Sequence, residues 1–187
     1  MQLPVWQDFY VANQQNGTEV LAVAIDFQGA ELPRPYVEQA NPTYANAVDT
    51  ENLLGLHFGF QAVPNAVFVD EAGIIQYAKF GGFDIRKPAD RQLAEEFAGA
   101  DQVLLTTTEQ AAGGFNSDEA RTHFNNGLLL FHNGNREQAL TEWREGLAYE
   151  PENWIIRKQI WAIEHPERFY SGDVDFDWQR EQIALNQ

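Results

Sequence analysis

"FGFQAVPNAVFVDEAGIIQYAKFGGF", residues 58–83, sets a Val-Pro dipeptide ahead of two short apolar runs with a glycine between them. Residues 66–70 and 74–80 are rich in β-branched and aromatic side chains, which predicts two strands. They are joined through "DEAG", where Gly73 suits the left-handed position that closes a tight hairpin. Gly81-Gly82 lacks the rest of any phosphate loop and suits close backbone packing. The surrounding 187 residues hold no cysteine. Disulfides, thiolate nucleophiles, thiolate zinc sites and iron–sulfur clusters are therefore excluded, and the redox compartment is left open.

Upstream of the hairpin, Leu3, Trp6, Phe9, Tyr10 and Ala12 recur at helical spacing, which predicts a helix over residues 3–15 with Asn16-Gly17 closing it. "TEVLAVAID", residues 18–26, is a nearly continuous apolar run and reads as a parallel strand covered on both faces. "PRPYVEQA" reads as a short helix, residues 44–49 as a short strand, and "DTENLLGLHFGF" as a helix with Asp49 or Thr50 as its N-cap. Downstream, residues 87–99 form an amphipathic helix with Leu93, Ala94 and Phe97 inward. The order α-β-α-β-α-β-β-α is a layered α/β arrangement.

Residues 100–118 lose periodicity and mark a linker between a domain at 1–99 and a helical region at 119–187. In that region Ser117 is placed to cap the first helix, Asn133-Gly134-Asn135 ends it, and Pro151 and Pro166 end the next two. The charge is −16. It is shared, with 5 basic and 13 acidic residues in 1–98 and 7 and 15 in 99–187. Phosphate backbones and anionic lipids are repelled by such a surface, so neither nucleic acid nor membrane is an expected partner. No apolar run approaches a membrane span and no basic flank precedes an apolar run at the N-terminus, so the sequence carries no export signal as written; its localisation is undetermined.

The Val-Pro dipeptide, apolar strand, Gly-containing hairpin, second strand and Gly-Gly resemble the second half of the thioredoxin-like superfamily, in its ResA/TlpA and peroxiredoxin-like branches. The resemblance covers about residues 1–98. It implies a cis peptide before Pro64 and a peptide-binding edge at Val63 and Pro64, where main-chain N–H and C=O pair with an extended segment. "MQLPVWQDFY" resembles the continuation of the family's helix beyond Trp-x-x-Cys-x-x-Cys. The CxxC motif and the family's first central strand are then absent from the chain. On this resemblance the thiolate chemistry is gone, and the strands at 18–26 and 66–70 are left with unpaired edges. Direct closure of those two strands, an element borrowed from a second copy, or an upstream part of the natural protein would each cover them. A redox-inert protein- or peptide-binding module, homodimeric through the unfilled edge, is the expected function. The alternative is the C-terminal part of a thiol-disulfide oxidoreductase or selenoprotein whose redox motif lies upstream of Met1. No disulfide oxidoreductase activity is expected of the cysteine-free chain itself.

Gly127, Ala139 and Pro151 lie 12 apart, and with Leu130 and Trp143 they resemble a 34-residue tetratricopeptide unit starting at Ala120. His123, Asn126 and Gly146 depart from that pattern. The tail "KQIWAIEHPERFY…VDFDWQREQI" also resembles the ending of two-part ResA-like proteins. Trp154, Trp161, Phe169 and Tyr170 fall in one short span, which suits an exposed contact patch or a seam between domains.

The remaining candidates carry no expected site. "DVDFD" (Asp173, Asp175, Asp177) imitates the start of an EF-hand loop, but Trp178 and Ala184 stand at its Gly and Glu positions; Asp177 reads better as an N-cap of the last helix. His57, His123, His132 and His165 lie far apart without HxxxH pairing. Neither Ser117 nor Ser171 sits in G-x-S-x-G, and no Walker A or G-x-G-x-x-G loop is present. No metal, cofactor or catalytic residue is expected.

Overall fold

The computed structural model describes residues 1–59, 63–99, 115–171 and 174–185. The chain divides into two compact units, Met1–Gly114 and Phe115–Gln187. Most of the linker expected at 100–118 lies outside the described residues.

The first unit is mixed α/β. Its elements are α1 (Leu3–Asn13), a 3-10 turn (Gln14–Asn16), β1 (Leu21–Ile25), α2 (Arg34–Ala40), β2 (Ala45–Asp49), α3 (Leu53–Phe58), β3 (Ala66–Val69), β4 (Ile75–Lys79) and α4 (Pro88–Ala98). β1 and β2 pair in parallel, Leu21 opposite Ala45 through Ile25 opposite Asp49. β3 and β4 pair antiparallel, with a register irregularity between Phe68 and Val69. Gly73, at φ 81°, closes their hairpin, and its N–H donates to Asp70 O at 3.0 Å. The Asp70 carboxylate accepts from the N–H groups of Ala72 and Ile74, so a side chain completes the turn.

Apolar burial concentrates on β3–β4. Phe68 and Tyr77 from the ladder, Phe9 from α1, Ala94 and Ala98 from α4, and Phe83 and Ile85 from the connection form one core. Trp6 stacks on Phe83 at 6.0 Å between centroids and Phe97 on Phe68 at 5.1 Å. These offset ring pairs add directional contact to the area that they bury. The other side of α1 reaches the segment that leads into β2. There Tyr44 donates its hydroxyl to Leu3 O at 3.2 Å, Tyr10 meets the Tyr44 ring edge-on at 5.9 Å, and Gln7 bonds Thr43.

Of the three ways to cover the unfilled edges, direct closure is not the one seen: among the described residues β1 and β3 stay in separate two-stranded ladders, each paired along one edge. One expectation is corrected here. β1 is not covered on both faces, since Leu21 is 63% exposed and the rest of the strand is only half-buried. The unpaired edge is the cause, because a strand without a neighbour on one side lacks the residues that would shield its faces.

The second unit is helical, with α5 (Asp118–His132), α6 (Arg136–Tyr149), α7 (Trp154–Glu164), α8 (Glu167–Tyr170) and α9 (Phe176–Leu185). Ser117 Oγ accepts from Ala120 N and Asn153 Oδ1 from Ile156 N, capping α5 and α7. α5 and α6 form a hairpin around Trp143, which is fully buried and donates its indole N–H to Phe124 O at 3.1 Å. α7 packs on α6, where Ile156 fills the space beside Gly146. The cap of α9 is Asp175, whose Oδ1 accepts from Trp178 N at 2.9 Å, not Asp177. The helix begins two residues earlier than its sequence suggests, so Asp177 lies in its first turn and pairs with Arg180.

Candidate functional site

The segment that enters β3 is held by its own hairpin. The Val63–Pro64 peptide bond is cis. Pro64 O accepts from Phe83 N at 3.2 Å, and Asn65 Oδ1 accepts from Gly81 N at 2.6 Å. These bonds tie residues 64 and 65 to the chain just past β4, and so fix where β3 begins. Val63 itself is 56% exposed, and Pro64 is exposed beside it. From this point the edge of β3 that is unpaired among the described residues runs on through Ala66 and Phe68, whose side chains are buried in the aromatic core.

β1, unpaired along its other edge among the described residues, consists of Leu21, Ala22, Val23, Ala24 and Ile25, all apolar. At the C-terminal ends of β1 and β2 lies a shallow cleft of about 280 Å³ lined by Val23, Val48, Asp49, Thr50, Glu51, Leu53 and Leu54. Asp49, 9% exposed, accepts from the N–H groups of Glu51, Leu53 and Leu54 at 3.2, 2.9 and 2.8 Å. It caps α3 from three residues before Asn52, which is left-handed at φ 55° and makes no side-chain cap. These three carboxylate bonds go to the local backbone, and the cleft wall is structural. Asp26, at the same end of β1, has its carboxyl pushed up by burial, against the lowering effect of the Gln28 N–H. What the described residues offer chemically here is hydrogen-bonding backbone flanked by aliphatic side chains.

The aromatic residues singled out in the second half differ in burial. Trp161 is 8% exposed and belongs to the unit's own core, edge-on to Trp154 at 6.1 Å and to Trp178 at 5.6 Å. Trp154, Phe169 and Tyr170 are half-buried. The Asp-rich tail does not converge either: Asp175 pairs with Arg168 and Asp177 with Arg180, while Asp173 lies outside the described residues.

One arrangement escaped the sequence reading. His123 lies beside Glu142 and Glu145, which are 19 and 22 positions away and reach it only through the α5–α6 hairpin. The available signal was the departure of His123 and Asn126 from the usual apolar residues at those positions of a tetratricopeptide-like pattern.

Comparison with protein-family models, with curated proteins and with solved structures finds no match.

Proposed function

We propose that the chain is a redox-inert, thioredoxin-like polypeptide-binding protein with a tetratricopeptide-like helical region, and that it takes an extended segment of a partner protein as an added strand. The observation that carries this reading is the pair of strands, β1 and β3, that are each hydrogen-bonded along one edge among the described residues. An unpaired strand edge is a row of N–H and C=O groups that another backbone satisfies, and strand addition is the mode of recognition that uses it. The aliphatic side chains of β1 and the exposed Val63 favour an apolar, β-branched occupant. The 13 acidic against 5 basic residues of 1–98 favour one that is flanked by lysine or arginine. Without a partner, two copies of the chain meet the same need by pairing with each other, which gives a homodimer.

The test is hydrogen exchange at the amides of residues 21–25 and 66–69, with and without a synthetic peptide of alternating valine and threonine flanked by lysines. Slower exchange at both strands is expected, with a shift from dimer to monomer in sedimentation as the peptide displaces the second copy. A peptide N-methylated at every other residue lacks the donors and is expected to do neither. Unchanged exchange at both strands, or equal effects from the two peptides, overturns the reading.

A further inference from the structure

We propose that His123, Glu142 and Glu145 bind a first-row divalent cation, zinc above all, in a site built across the α5–α6 hairpin. His123 Nδ1 lies 2.9 Å from Glu142 Oε2 and 3.5 Å from Glu145 Oε2. All three donor atoms fall within 4.8 Å of one another. A tetrahedral zinc ion with bonds of about 2.0–2.2 Å sets its ligands roughly 3.4 Å apart, so these atoms need only small movements to close on one ion. Three protein donors leave the fourth position to water. The imidazole decides the metal, because magnesium and calcium favour all-oxygen shells, whereas imidazole with carboxylates suits zinc and its neighbours.

The donors stand on a rigid base. Glu142 and Glu145 flank Trp143, which is fully buried, and His123 adjoins Phe124, also fully buried. Gly146 keeps this part of α6 close to α5: a Cβ there would lie 3.3 Å from His123 Cβ. The side chains of His123 and Glu142 are 23% and 26% exposed, which shields them from water without closing the site to an ion. Two further residues orient them. Tyr149 stacks on the His123 ring at 5.6 Å with 19° between planes, and Asn126 Nδ2 donates to Glu142 Oε2 at 3.3 Å. Such outer partners hold a ligand in place before the metal arrives. A simple ion pair accounts for the contact with Glu142; it does not account for the second carboxylate turned to the same nitrogen at 3.5 Å, beyond a good hydrogen bond.

The test is calorimetric titration of zinc chloride into the full chain after dialysis against a chelator. Saturable binding of one zinc per chain is expected. H123A and E145Q each weaken it by about tenfold or more, and N126A by about tenfold. E145Q keeps the experiment decisive if H123A fails to fold, since the Glu145 side chain is 57% exposed. H165A, whose histidine faces Glu167 and Trp178, leaves binding unchanged, and magnesium chloride gives no saturable heat. Absence of saturable zinc binding, or undiminished binding by E145Q, overturns the proposal.

Discussion

Gly127 on α5 and Trp143 on α6 occupy the same crossing: a Cβ added at Gly127 would overlap the indole of Trp143, whose N–H is bonded to Phe124 O one turn away. The ring cannot retreat, because it is fully buried between the two helices.

Gly127→Ala is therefore expected to destabilise the helical unit by about 2–3 kcal/mol, the scale of overpacking in a filled core. Trp143→Ala is expected to cost about 3–5 kcal/mol through the cavity that it leaves. Urea unfolding followed by far-UV circular dichroism measures both. A Gly127→Ala variant as stable as the parent would show that the crossing relaxes freely.

Asp90, in the first turn of α4, is buried and receives Lys79 Nζ at 2.8 Å and Asp84 N–H at 2.9 Å. Burial pushes its carboxyl up, but the Lys79 ammonium, the Asp84 N–H and the Lys87 charge outweigh burial and hold it below the ordinary value. Lys79→Met strands that charge and is expected to cost about 3–5 kcal/mol, whereas Lys79→Met with Asp90→Leu is expected to cost distinctly less. Equal losses in the single and double variants would remove the argument.

Asp84 carries the clearest acid dependence. The Arg86 side chain bonds both of its oxygens, and with the Arg86 N–H and the nearby charges of Arg86 and Lys87 it brings the carboxyl from 3.8 to about 2, against the opposing effect of burial. A depressed carboxyl stabilises the fold above its unfolded value and loses that contribution as pH falls through its folded one. Between about pH 4 and pH 2 the first unit should lose about 1 kcal/mol through this group, allowing for the half-exposed Arg86. Asp84→Asn is expected to flatten that part of the stability profile. An unchanged slope would assign the acid sensitivity elsewhere.

Asp49→Ala frees the three N–H groups at the start of α3 and is expected to cost about 2 kcal/mol, with faster exchange at Leu53 and Leu54. Asp49→Asn keeps one acceptor and should lose less. Exchange at these two amides unaltered by Asp49→Ala would mean that water replaces the cap without penalty.

Local signals carried far in this chain. The 3.6-residue spacing of Leu3, Trp6, Phe9 and Tyr10 marks α1, and the apolar runs on either side of Gly73 mark β3 and β4, because each of those patterns is settled within a dozen residues. What the sequence left open depends on neighbours far along the chain. The half-exposed state of β1 could not be read from "VLAVAI", since coverage depends on whether another strand lies alongside it. The capping of α9 by Asp175 in place of Asp177 turned on a choice between equivalent carboxylates two residues apart. His123, Glu142 and Glu145 meet only because a three-residue turn folds α6 back on α5, and no spacing along either helix announces that meeting.

α1 touches the β3–β4 core through Trp6 and Phe9 and the segment leading into β2 through Leu3, Gln7 and Tyr10. A sheet ladder fixes its neighbours on a grid of about 4.8 Å, whereas side chains on a shared helix set a separation that rotamer changes can widen or narrow. The two sides of this unit thus share α1 as a common mount, and Val20, just before β1, also packs directly on the β3–β4 core.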